Sequence, residues 1–128
     1  MRQIIIVLET LGVDLVPSIT ARASYAAFMN RCRRNGNVIS MDQEIVPWFD
    51  GGQPLTQITM PLSLLEQVYR DASAGGLCPS ATKNDQGELI AVGVGPYAKG
   101  AMACVLASTM SPLGTPIVRE DLQGKSHA

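Results

Sequence analysis

A chain of 128 residues with 46% apolar and 16% charged side chains is sized for one domain that buries its own core. Its formal charge of −1 lacks the basic excess of a dedicated nucleic-acid binder, although a local patch is compatible with that balance. Cys32, Cys78 and Cys104 form no C-x-x-C pair and the single histidine, His127, is penultimate, which argues against a disulfide scaffold, a structural zinc site and a histidine-dependent nucleophile.

The first predicted element is a strand. Ile4 to Leu8 is a continuous apolar run of the kind covered on both faces of a sheet. It is too short for a signal-peptide core or a membrane span, so a reducing, cytoplasmic setting and no membrane partner are expected. A loop with Gly12 and Asp14 follows, and Pro17 suits a first helical turn. Helical spacing then runs from Ser18 to about Arg34, with Ile19, Ala23, Ala26, Ala27 and Asn30 on one face. The small residues predict close approach to a sheet, or a homodimer face. Arg31, Arg33 and Arg34 are expected in the last turn, complementing the helix dipole, with Gly36 as the stop. As an alternative role, these arginines suit an RNA backbone.

Between positions 38 and 49, Ser40 and Gln43 resemble a capping box for a short helix limited by Pro47, while Val38-Ile39 alone suits a short strand. Asp50-Gly51-Gly52 is a break. A strand is predicted from about Pro54 to Met60, then a helix capped by Ser63 with Glu66 and ending near Ala74 before Gly75-Gly76. Cys78 to Lys83 reads as a strand, Asn84 to Gly87 as a hairpin turn, and Leu89 to Gly95 as a strand broken by Gly95-Pro96. A helix from Ala101 to Met110 and a polar tail over 119–128 complete the chain. The expected fold is α/β: a single domain over 1–118, with a three-layer mixed sheet of about four strands and helices on both faces.

Several strings in this order resemble the class II peptidyl-tRNA hydrolases. They are Trp48 with Gly51-Gly52-Gln53, the strand Leu55 to Met60, the helix Leu64 to Ala74, Gly76-Leu77, the turn around Asp85 and Gly87, and Val92-Gly93-Val94-Gly95-Pro96. Together they cover roughly half of the chain. Asp14-Leu15 is similar to the aspartate-leucine pair that ends the family's first strand. Three positions depart from the pattern: Ser18 stands at the family lysine, Arg22 at a glutamine and Tyr25 at a histidine. The resemblance implies hydrolysis of the ester between peptide and tRNA, with tRNA as partner. The departures leave open a non-catalytic member of the fold that binds ligands or assembles with itself.

The candidate catalytic residues are Asp85, which matches the family's functional aspartate, and the hydroxyl of Ser18. The candidate ligand-binding residues are Arg22, Tyr25, Lys99 and Asp14. Each also has a plain structural role: Asp85 in a turn, Ser18 at a helix start, Arg22 and Lys99 as solvated cations, Tyr25 at the rim of a core. No cofactor is expected, because Gly93-x-Gly95 lacks the third glycine and strand-helix context of a dinucleotide loop. No metal-ligand cluster is apparent either.

Overall fold

The computed structural model describes residues 1–98 and 100–102. Its first strand, β1 (Arg2–Leu8), is central, as the apolar run requires. Successive side chains of a strand point to opposite faces. Ile4 and Ile6 accordingly join one core cluster and Ile5 and Val7 the other.

The main sheet also contains β4 (Leu55–Met60), β5 (Ser80–Lys83) and β6 (Leu89–Tyr97), in the order β4-β1-β6-β5. The β1–β4 pair is parallel, from Gln3 opposite Leu55 to Leu8 opposite Met60. The β1–β6 and β5–β6 pairs are antiparallel. Three strands (β1, β4 and β5) therefore run one way and β6 the other. Their carboxyl ends share one edge of the sheet.

Helix α1 (Val16–Met29) covers one face through Ile19 and Ala23. Helix α3 (Leu62–Ala74) covers the other through Leu65, Val68 and Ala72. The mixed four-stranded α/β architecture thus agrees with the sequence. The small-residue stripe of α1 is spent within the chain, because Ala23 and Ala27 are buried. Gly93 is what allows this: a Cβ there would lie 2.6 Å from the Ala23 carbonyl oxygen and 3.1 Å from the Ala27 Cβ.

The long first helix is corrected. It ends at Met29, and the three arginines do not form its last turn. The Asn30 amide, just past that end, donates to the Cys78 carbonyl at 3.0 Å and the Pro79 carbonyl at 3.3 Å, tying the helix end to the approach to β5. A separate ribbon follows, β2 (Cys32–Asn35) paired with β3 (Val38–Met41). Gly36 turns it with a φ of 63°, a left-handed conformation that glycine adopts without strain. Arg33 and Arg34 are exposed on β2. Arg31 instead pairs with Glu44 and lies over the Tyr97 ring, 4.1 Å from its centroid.

Two caps are corrected as well. Ser40 lies in β3; Asp42 caps the 3-10 helix Gln43–Ile45 by accepting from the Glu44 N–H at 3.1 Å. Helix α2 (Val46–Asp50) continues it, with Pro47 in the first turn. Helix α3 begins one residue before Ser63, and its N-cap is Pro61, whose carbonyl accepts from Leu64 and Leu65. Gly95-Pro96 does not end β6, which runs on to Tyr97. The register slips between Arg2 and Ile4 opposite it, and Gly95 absorbs the irregularity with a φ of 104°. Gly100 to Met102 are helical; the remainder of the expected last helix and the tail over 119–128 lie outside the described residues. No helix among the described residues is long and apolar enough to cross a membrane.

Candidate functional site

The carboxyl edge of β1, β4 and β5 is where an open α/β sheet presents its loops to a ligand. β1 leaves the sheet through Glu9, whose N–H donates to the Met60 carbonyl at 2.9 Å. Two tight turns follow, closed by Leu11 N–H to Leu8 carbonyl and Leu15 N–H to Gly12 carbonyl. They deliver the chain to α1. On the other side, β5 turns into β6 over Asn84–Glu88. The Asn84 Oδ1 accepts from the Gln86 and Glu88 N–H groups at 3.0 and 2.9 Å, and its amide donates to Glu88 Oε1 at 2.7 Å. Gly87 closes the turn with a φ of 80°. An asparagine that bonds its own following backbone is a rigid turn former, and this one holds Asp85 at an exposed tip.

Between the two lies an open cleft of about 330 Å³. Leu11 and Leu15 from the first loop, Ile19 from α1 and Ile90 from β6 supply its apolar surface. Arg22 of α1, Lys83 at the end of β5, and Asn84, Asp85 and Gln86 of the turn supply its polar surface. Arg22, Lys83 and Asp85 form no ion pair or side-chain hydrogen bond with a described residue. Two uncommitted cations and one uncommitted carboxylate around an apolar floor can hold an anionic group and leave a carboxylate to receive a proton.

The structure thus brings Arg22 and Asp85 together and separates the other expected residues. Ser18 lies one turn before Arg22 on α1, where its hydroxyl donates to the Leu15 carbonyl at 3.1 Å. It is not a cap, since the N-cap is Leu15. Asp14 is exposed on the loop between Leu11 and Leu15 and does not line the cleft. Tyr25 lies in a second cleft, lined also by Phe28, Trp48 and Phe49. Lys99 lies outside the described residues.

Lys83 is the cleft residue that the sequence did not signal. Ser80 and Thr82 are buried and Ala81 and Lys83 exposed, so strict alternation would send Lys83 to the face opposite Ser80. The β5–β6 register slips between Thr82 and Lys83. Lys83 consequently lines this cleft and another on the α3 side, beside Glu66 and Tyr69. No family model matches the chain, and no curated protein matches it.

Proposed function

We propose that the cleft between α1 and the β5–β6 turn binds and hydrolyses an ester carried on a phosphate-bearing ligand, as a divergent peptidyl-tRNA hydrolase would. The observation that carries this reading is the convergence of Arg22, Lys83 and Asp85 at the carboxyl edge of the sheet, with none of the three committed to another described residue. Asp85 accepts a proton from the attacking water as the water oxygen bonds to the ester carbonyl carbon. The proton returns to the departing ribose hydroxyl when the carbon–oxygen bond breaks. Arg22 and Lys83 hold phosphates: the guanidinium as a two-pronged donor, the ammonium as a point charge.

The test is release of peptide from a peptidyl-tRNA by the full chain. Asp85→Asn is expected to lower kcat by about a hundredfold or more. Arg22→Gln and Lys83→Gln are expected to raise KM, with a weaker salt dependence of binding. Turnover no faster than that of the Asp85→Ala protein would overturn the reading.

A second reading is a non-catalytic binding module. It is favoured by the exposure of Asp85, whose carboxylate bonds to no described side chain, and by the engagement of the Ser18 hydroxyl with Leu15. It predicts no turnover and no salt-dependent binding of tRNA; a tight complex that weakens steeply with salt would argue against it.

A further inference from the structure

Across α1 from the Arg22 cleft lies a second opening, of about 390 Å³, between α1, α2 and β4. That volume falls within the range of about 300–1,000 Å³ usual for small-molecule sites. Its walls are aromatic. Phe28 stacks on Trp48 at 5.9 Å and on Phe49 at 5.6 Å between centroids. Trp48 is buried and anchored, its indole N–H donating to the Pro54 carbonyl at 2.8 Å. Tyr25 and Phe49 are the open surfaces, 65% and 39% exposed. In a chain with only six aromatic residues, four of them converge on this opening.

One polar side chain, Gln53, lines it, and another, Arg2, bonds to the carbonyl of a lining residue. Gln53 holds a left-handed φ of 56°, fixed by its N–H bond to the Trp48 carbonyl at 3.0 Å. A non-glycine residue in that conformation is strained, and such strain collects at functional positions. The Gln53 side-chain amide bonds to no described residue and lines the cleft. Arg2 donates to the carbonyl of Leu55, which also lines the cleft, and to the Thr56 hydroxyl, at 3.1 and 3.3 Å. Among the described residues, no acidic side chain lines the opening.

We propose that this cleft binds an unpaired base of single-stranded RNA. The base stacks between the exposed faces of Tyr25 and Phe49, the Gln53 amide bonds its edge, and Arg2 meets an adjacent phosphate. An apolar peptide anchor would satisfy the aromatic walls but leave the Gln53 side-chain amide without a role. Tyr25 is three residues after Arg22, a rise of about 4.5 Å along α1. The choice of RNA rests on the ester-hydrolase reading; the site itself does not.

Trp48 is the only tryptophan of the chain, so its emission reports on this cleft. The full chain is titrated with a hexamer of oligoadenylate, with a hexamer of the same length lacking bases, and with an N-acetylphenylalanine amide as competitor. Saturable change in Trp48 emission with the first alone is expected. Phe49→Leu, which keeps apolar bulk without the ring face, and Tyr25→Ala should each weaken binding between about fivefold and about a hundredfold. Gln53→Gly, which removes the amide and keeps the left-handed backbone, should weaken it severalfold. Equal binding of the baseless hexamer, equal competition by the amino-acid amide, or unchanged affinity in Phe49→Leu and Tyr25→Ala would overturn the inference. Asp85→Asn separates the two readings: it should lower kcat by about a hundredfold or more and leave this titration unmoved. Base-dependent binding without turnover in the unmodified chain sinks the hydrolase reading alone.

Discussion

Gly93 packs so close to the carbonyl of Ala23 that a Cβ would sit 2.6 Å from that oxygen, 2.8 Å from the Ser80 hydroxyl and 3.1 Å from the Ala27 Cβ. This contact sets how near α1 comes to β6. It also decides where Arg22, one residue before Ala23, stands relative to the β5–β6 turn.

Gly93→Ala is expected to destabilise the fold by about 1–3 kcal/mol, the usual cost of overpacking a closed contact. The nearest obstruction is backbone and has no rotamer to yield. Urea unfolding should show a lower midpoint with an unchanged slope. An unshifted midpoint would mean that α1 is free to move off the sheet.

Ser80 tests the same contact from the other side. Its hydroxyl donates to the Ala23 carbonyl at 3.2 Å and accepts from the Gly93 N–H at 3.2 Å, all within the buried layer. Ser80→Ala is expected to cost about 1–3 kcal/mol, because buried partners lose their bond. The double variant with Gly93→Ala should cost less than the sum of the two. Removing the Ser80 oxygen opens space for the new methyl, and contacting sites are not additive. Strict additivity in the double-mutant cycle would contradict the geometry.

Gly36 provides a contrast. Its φ is 63°, but a Cβ there meets nothing within 4 Å. Gly36→Ala should therefore cost only the left-handed backbone penalty, roughly 1 kcal/mol. The loss should be confined to the ribbon, read as faster amide exchange in β2 and β3 with little change in the four-stranded sheet.

Tyr97 gives the chain a dependence on alkaline pH. Burial pushes its hydroxyl above the ordinary value of 10.0, and the Arg31 guanidinium over its ring opposes that rise. The folded chain holds the Tyr97 proton to higher pH than the unfolded chain does. Its contribution to stability is thus complete below the unfolded value and is lost as pH rises through the folded one. Arg31→Met removes the opposing cation and should move the Tyr97 titration higher still. The check is the ultraviolet phenolate absorbance, with the Tyr97→Phe protein subtracted to remove Tyr25 and Tyr69. A downward movement would show that Arg31 does not act on this hydroxyl through its charge.

What the sequence determined by itself is whatever local physics decides. The apolar run Ile4–Leu8 could only be a covered strand, and the Asn84–Gly87 turn follows from side-chain bonds within five residues. The amphipathic spacing of Leu65, Val68 and Ala72 likewise marks α3. Asp85 and Arg22 stood out as candidates for a different reason, the resemblance of their surroundings to the peptidyl-tRNA hydrolase motif.

Tertiary structure decided the rest. Helical spacing past Met29 carries no stop, and the sequence signal that opposed it was Asn35-Gly36, a hairpin dipeptide easily read as the end of a helix. The Asn30 bonds to Cys78 and Pro79, 48 and 49 residues away, settle the matter in favour of the ribbon. Lys83, at the end of β5 where the β5–β6 register slips, lines this cleft as well as the α3-side one, and Tyr25 left the Arg22 cleft because it belongs to the other flank of α1. Local propensity depends on a few neighbours. Which charges share a cleft depends on strand order, register and the closeness of one helix to one glycine, and those contacts form only when distant parts of the chain pack.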